Sequence, residues 1–283
     1  MLNPEKIKEE VKKAYISSCV RLPNEIKELF RQAKASEVEE SLAQEVFEIL
    51  LQNADIAEKE GLPLCQDTGI PVVLVRISEG MIIPPGLENA INSGIAEAVA
   101  EGYLRASVAH PLTRENTRTN TPAIIHYEVI PKAGPQDDVF EIWIMPKGCG
   151  SENMSRLAML KPADVIEGII QFVVETVKIA GPNPCPPLIV GVGIGGNFEH
   201  CAILAKKALF RPVGSSNSDP LARKLEENLL TEINKLGIGP LGFGGKTNAL
   251  AVHVELAPCH IASLPVAVNL LCHSARVAKL KFL

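Results

Sequence analysis

The chain has 283 residues, 46% of them apolar and 22% charged, and a formal net charge of −5. This length supports one large domain or two modest ones around a sizeable core, and the composition is that of a globular chain, not a disordered one. The acidic balance, with no block of Lys and Arg, excludes nucleic acid as the main ligand, because phosphate binding needs a basic face.

The first sixty residues read as helices. The opening MLNPEKIKEEVKKAYISS is charged and has no apolar core of the kind a signal peptide needs, so a cytoplasmic location is expected. Ser36-Glu37-Val38-Glu39 has the form of a capping box, and Leu42, Val46, Ile49 and Leu50 follow at helical spacing. Gly61 stands where a helix-ending glycine belongs. From Pro63 the texture changes to short apolar runs between Pro- and Gly-rich loops. Val72–Ile77, Ala123–Ile130 and Val139–Met145 have the length and β-branched content of strands, with a helix from Leu87 to Tyr103 between the first two. Pro162 opens a helix reaching about Ile179. A buried strand over Pro187–Gly193, a glycine cluster, and helices over Glu199–Leu209 and Asp219–Lys235 come next. A strand over Leu250–Leu256 and an apolar segment at Val266–Leu271 complete the pattern. No apolar run approaches the ~20 residues of a membrane span. The expected fold is α/β (α+β): one domain over residues 1–283, with a helical N-terminal region to about residue 61 and then mixed sheets flanked by helices.

Seven cysteines, odd in number and widely spaced, argue against a disulfide framework. Cys19 and Cys201 lie within helical patterns and read as packing. Cys65 follows a loop proline and precedes Gln-Asp-Thr-Gly, and Cys185 sits between prolines before a strand. Neither belongs to a periodic apolar face, while Cys272 is ambiguous. Without a C-x-x-C pair, ferredoxin-type sites and most structural zinc motifs are excluded. The thiols permit a metal site without demanding one. Three thiolates on a cubane cluster would leave one iron open to substrate, a Lewis acid able to help hydroxide leave.

Three rival patterns are present. Gly191 to Gly196 satisfies G-x-G-x-x-G after a strand, the dinucleotide-binding signature, but no acidic strand end follows about 20 residues later. Cys259-His260 with Cys272-His273 raises a zinc-binding module, although the spacing matches no known finger. Gly-Gly-Lys-Thr at 244–247 imitates a P-loop ending, yet Pro240 occupies the position of the required first glycine.

Five segments agree in order with one family: Cys-Gln-Asp-Thr-Gly at 65–69, Cys-Pro-Pro through Gly-Gly at 185–196, Ala-Lys-Lys-Ala-Leu-Phe-Arg-Pro at 205–212, Gly-Pro-Leu-Gly-Phe-Gly-Gly-Lys-Thr at 239–247 and His-Ile-Ala-Ser-Leu-Pro-Val-Ala-Val-Asn at 260–269. Over about Glu37 to Arg276 the chain resembles the alpha region of class I fumarate hydratases and L-tartrate dehydratases. The resemblance implies a [4Fe–4S] cluster held by Cys65, Cys185 and Cys272, and substrate-binding roles for Gln66, Arg105, His260, Gly148 and Gly150. It implies that Asp67 handles the proton of the departing hydroxyl. Chemistry agrees: Arg105 can grip a dicarboxylate bidentately, and Gln66 and His260 can donate to carboxylate oxygens. Without the resemblance, Arg105 reads as a solvated surface arginine and Asp67 as a turn residue. Cys149 departs from the small residue usual between Gly148 and Gly150. The implied reaction is reversible dehydration of a small hydroxy dicarboxylate, with (S)-malate as first choice and tartrate as the alternative. In the family a second module supplies the catalytic base. A beta-subunit partner is therefore expected, with assembly as a dimer of heterodimers and neither nucleic-acid nor membrane partners.

Overall fold

The computed structural model describes residues 3–132, 134 and 138–283; Met1 and Leu2, in the expected first helix, lie outside them. The chain folds as two compact units. The first comprises Met1–Leu22, Asn53–Cys149 and Arg276–Leu283, and the second Pro23–Gln52 and Gly150–Ala275.

In the first unit, helix α1 (Pro4–Val20) starts at Asn3, whose side chain accepts from Glu5 N. Later in the chain, in this and the second unit, come α2 (Asn24–Ser36), α3 (Leu42–Glu60), β1 (Ile70–Ser78), α4 (Leu87–Glu101), β2 (Ile124–Ile130) and β3 (Phe140–Lys147). The last strand is β8 (Ala278–Lys281). The first unit's sheet runs β2-β1-β3-β8, with β1 parallel to β2 and antiparallel to β3. Alternate residues Val73, Val75, Ile77, Phe140, Ile142 and Ile144 point to one face, where Ile7, Val11 and Tyr15 of α1 and Ile91 and Ile95 of α4 cover them. The opposite face is partly charged. Arg76 pairs with Glu128 and Glu141, and its guanidinium lies 4.3 Å from the centre of the Trp143 ring.

The second unit holds α2, the first part of α3, and α5 (Cys149–Glu152) from Gly150 onward. It also contains β4 (Arg156–Leu160), α6 (Val165–Ala180), β5 (Leu188–Gly196), α7 (Phe198–Ala208), α8 (Pro220–Asn234), β6 (Ala249–Cys259) and β7 (Leu264–Leu271). Its sheet runs β4-β7-β5-β6, with β6 parallel and β7 antiparallel to β5. Val173 and Val177 of α6 and Leu225, Leu229 and Ile233 of α8 share one core with Val190, Val192, Val252 and Val268. On the other face α7 lies almost on the backbone of β5. A β-carbon on Gly191 would stand 2.3 Å from the Ala205 carbonyl oxygen, and one on Gly193 would stand 2.0 Å from that of Cys201. These glycines are therefore close-approach residues within the strand, and the strand expected to end at Gly193 runs through the glycine cluster to Gly196. The dinucleotide signature is absent as a structure, because its glycines make room for a helix and leave no phosphate cradle.

The α/β class, the helical start and most expected elements stand as read, with ends shifted by one to three residues. The capping box at Ser36 does not form. Ser36 is the last residue of α2, and its hydroxyl donates back to the Ala33 carbonyl at 2.8 Å. Ser41 and Gln44 cap α3 instead: Ser41 Oγ accepts from Gln44 N at 3.4 Å, and Gln44 Oε1 accepts from Glu40 N at 3.0 Å. The carboxylate of Glu37 is left to bind the backbone amides of Lys246 (2.8 Å) and Thr247 (2.9 Å). Those are amides that a P-loop would offer to phosphate, and here a glutamate fills them. β4 and β8 escaped the sequence reading, since short edge strands owe their form to the neighbours they pair with. Among the described residues no helix is long and apolar enough to cross a membrane.

The second unit also buries His253, 1% exposed, with Nδ1 3.1 Å from the Ala208 carbonyl. Burial first, and the nearby Arg211 charge second, push its pKa down to about 4. Because the folded-state pKa lies below the ordinary value, neutral His253 stabilises the fold fully above about pH 6.5. As pH falls toward 4, the unfolded chain takes up a proton that the folded chain refuses. Urea unfolding at pH 7 and pH 4.5 should therefore show a loss of up to about 3 kcal/mol that is absent from His253→Leu. Equal losses in the two proteins would show that His253 does not govern this window.

Candidate active site

The segment Cys65–Gly69 is carried from the end of α3 into β1 and is fastened at its start. Leu64 N donates to the Cys19 carbonyl at 2.9 Å, and Asn53 Nδ2 donates to the Leu64 carbonyl at 3.0 Å. Cys65 is half-buried with its Sγ 3.4 Å from Gln66 Oε1, and Gln66 is exposed. Asp67 is held from three sides. Its Oδ1 accepts from Gly69 N and its Oδ2 from Cys149 N, each at 2.8 Å, while buried Arg276 donates to its carbonyl oxygen. Gly148 completes this knot, because a β-carbon there would stand 2.9 Å from an Arg276 nitrogen and 3.3 Å from Asp67 Oδ2. The turn role expected of an Asp-Thr-Gly aspartate is thus present, as the bond from Gly69 N to Oδ1.

Arg105 lies in the loop after α4, with an exposed side chain and a fastened main chain. Its N–H donates to Thr68 Oγ1 at 2.9 Å, and its carbonyl accepts from Thr68 Oγ1 at 3.2 Å and Asn120 Nδ2 at 3.0 Å. The first unit therefore gathers Gln66, Asp67, Arg105 and Gly148 around one set of backbone bonds. Sequence reasoning passed over Thr68, Asn120 and Arg276; Asn120, before Thr-Pro, was the one with a local signal.

In the second unit Cys185 and Cys272 occupy the same end of the sheet, since Cys185 leads into β5 and Cys272 follows β7, its antiparallel neighbour. Their segments are bonded: His273 N and Nδ1 each lie 3.2 Å from the Cys185 carbonyl. Cys185 is exposed and holds a φ of 56°, a left-handed conformation uncommon for a residue with a β-carbon and concentrated at functional sites. Its amide donates to the Pro182 carbonyl at 2.9 Å. Half-buried Cys272 has its Sγ 2.9 Å from Ser274 Oγ. Gly150 packs near this loop, where a β-carbon would stand 3.2 Å from the Asn183 carbonyl oxygen.

His260 is not brought to Cys185 and Cys272. It lies in the turn between β6 and β7, at the far end of β7, and its Nδ1 accepts from Ala262 N at 3.1 Å. Eight strand residues separate the two ends, about 23 Å at the usual rise. The same separation removes the zinc alternative, because Cys259-His260 and Cys272-His273 stand at opposite ends of one strand. Among the described residues no group of three or more His, Cys, Asp or Glu side chains is arranged to hold a metal ion. The donors themselves suit an iron–sulfur group. Cys19 and Cys201 are buried as expected, whereas Cys65, Cys185 and Cys272 stand in loops where a thiolate can reach a ligand.

Against this geometry, the model of the fumarate hydratase (fumerase) family matches residues 8–281. The chain belongs to that family. A Methanocaldococcus jannaschii protein provisionally named L(+)-tartrate dehydratase subunit alpha is 42% identical over 275 residues, covering 96% of this chain and 96% of its own. The L(+)-tartrate dehydratase subunit alpha of Escherichia coli K12 is 31% identical over 259 residues, covering 90% of this chain and 84% of its own. The resemblance read from five short segments thus holds along nearly the whole fumarate hydratase family chain. Several of its motif residues are structural in this family member. Lys206 Nζ donates to both Glu152 oxygens (2.7 and 2.5 Å), and Asn269 Nδ2 donates to Glu152 at 2.9 Å and to Ser155 Oγ at 2.6 Å. Arg211 pairs with buried Glu226 at 2.6 Å.

An asparagine at position 67 has one acceptor oxygen and cannot satisfy both amides that Asp67 serves. Asp67→Asn should lower the unfolding free energy by about 1–3 kcal/mol, read as a lower urea midpoint at constant slope. A midpoint equal to wild type would show that the two bonds are not both made.

Proposed function

We propose that the chain is the alpha subunit of a two-subunit [4Fe–4S] hydro-lyase that reversibly dehydrates a hydroxy dicarboxylate, with Cys65, Cys185 and Cys272 as cluster ligands. The observation that carries this reading is the meeting of the Cys185 and Cys272 segments at one sheet end, with His273 bonded across them. When bound, such a cluster supplies a Lewis-acidic iron with an open position for a hydroxyl and a carboxylate. The protein's own groups do the rest. The exposed Arg105 guanidinium grips a carboxylate, Gln66 donates to it, and the absence of side chains at Gly148 and Gly150 admits substrate beside the backbone. Asp67, its carboxylate aimed by two amides, handles the proton of the departing hydroxyl: in dehydration the hydroxyl gains a proton and leaves as water, and in hydration the carboxylate takes that proton from the attacking water. The proton on carbon is taken by a base of the beta subunit, and the naming of the relatives as alpha subunits supports such a partner.

The relatives' names favour L(+)-tartrate over (S)-malate as substrate, and tartrate is the reading proposed here. Malate is the second reading, supported by the family's description as fumarate hydratase. Anaerobically reconstituted complex should contain about four iron and four sulfide per alpha chain, lost in the Cys65, Cys185, Cys272 triple Ser variant. It should also turn over tartrate with kcat/KM at least about tenfold above malate, a free-energy preference of about 1.4 kcal/mol. A cluster untouched by the three substitutions would sink the ligand set, and a preference for malate would reverse the substrate order.

His260, at the sheet end remote from Cys185 and Cys272, serves in this reading the site of a second copy, as a dimer of heterodimers allows. Co-assembly of His260→Ala chains with Cys272→Ser chains, each inactive alone, should then recover roughly a quarter of wild-type activity, because mixed dimers contain one complete site. No recovery in verified mixed dimers would end that role for His260.

A further inference from the structure

Asn120 is a fully buried amide, 0% exposed, in a unit whose core is otherwise apolar at the sheet face. A buried amide is costly unless bonded, and this one is bonded to capacity. Oδ1 accepts from the backbone amides of Ser107 and, at 3.1 Å, Val108. Nδ2 donates to the carbonyls of Gly69 at 3.2 Å and Arg105 at 3.0 Å. The residue holds a φ of 56°, a left-handed conformation that asparagine tolerates better than most residues. Its four partners belong to two segments only, the one that carries Gln66 and Asp67 and the one that carries Arg105. Thr68, also buried, repeats the connection from the other side by bonding both the N–H and the carbonyl of Arg105. The Arg105 main chain is thereby fixed against Gly69, whose amide in turn binds Asp67 Oδ1. Its side chain remains exposed and can reach a ligand.

We infer that Asn120, supported by Thr68, is a positioning residue that sets where the Arg105 guanidinium stands relative to Gln66 and Asp67, and so sets the spacing at which the two ends of a dicarboxylate are held. The inference rests on the reading of Arg105 as the carboxylate anchor. An arginine on an unfastened loop would bind one carboxylate equally well. It could not hold a fixed distance to the neighbouring loop, and a shift of about 1 Å is enough to cost a large factor in a positioned site.

Asn120→Asp is the discriminating variant. It keeps the size, the tolerated φ and the acceptor for Ser107 and Val108, but turns an oxygen toward the carbonyls of Gly69 and Arg105. The anaerobic alpha–beta complex is assayed with L-tartrate as substrate and with succinate, a dicarboxylate with no hydroxyl to lose, as competitive inhibitor. Asn120→Asp should raise KM for tartrate and Ki for succinate about tenfold or more, with kcat within about threefold of wild type and iron content unchanged. In an Arg105→Ala background, where both constants are already raised, Asn120→Asp should add less than about twofold, because the two residues act as one unit. Thr68→Val, which removes the parallel connection, should shift KM and Ki in the same direction, and it carries the test if Asn120→Asp does not fold. Multiplicative effects of Asn120→Asp and Arg105→Ala would overturn the inference. So would a loss of kcat and iron with Ki unchanged, the mark of a residue that only holds the fold. If Arg105→Ala itself leaves KM and Ki at wild type, the anchor reading fails, an outcome separable from a failure of Asn120 alone.

Discussion

The carboxylate of Asp67, shared between the amides of Gly69 and Cys149, is the interaction on which the first unit's candidate site depends. Residues 67 and 149 are far apart in sequence, and without a common acceptor each loop would keep an unsatisfied amide near the sheet end. The buried Arg276 adds a charged donor to the Asp67 carbonyl, and Gly148 is small because that donor lies where a β-carbon would go. Gln66 and Arg105 can present exposed side chains because their own main chains, or those of their neighbours, are tied down in this way.

The second unit solves a different problem, the close approach of a helix to a strand. α7 presses on β5 closely enough that Gly191 and Gly193 have no room for side chains. The helix is then secured by charge, since Lys206 of α7 reaches Glu152, which also takes the Asn269 amide from β7. Lys206 and Asn269 lie in segments that carry the family resemblance, yet their bonds are to other parts of the framework. Their contribution to the site is indirect. They hold α5 and the strand that leads to Cys272 in one arrangement.

Much of the architecture was legible because period and punctuation are local properties. The amphipathic start, the β-branched runs at 72–77 and 139–145, and the helix beginning near Asp219 need only neighbouring residues to be read. Local form misleads at two places. Ser36-Glu37 has the local form of a cap, but Glu37 is drawn to Lys246 and Thr247, more than 200 residues away in sequence. Gly191 to Gly196 has the local form of a phosphate turn, but its small residues answer to α7. In the first case a partner remote in sequence prevails over the local pattern, and in the second the packing of the next helix, α7, decides what the glycines do.

Residue chemistry alone separated the loop-borne Cys65 and Cys185 from the buried Cys19 and Cys201, because a thiol's place in a helical period already reports whether it packs, while Cys272 stayed ambiguous until the family resemblance pointed to it. The ordered segments alone were also enough to reach the family. Only the tertiary structure decided that Cys185 and Cys272 share one sheet end while His260 stands at the other, since that follows from strand direction and register, which no residue type encodes. It alone also set Asn120 between the Gly69 and Arg105 carbonyls, because a buried amide's partners are chosen by the fold that encloses it.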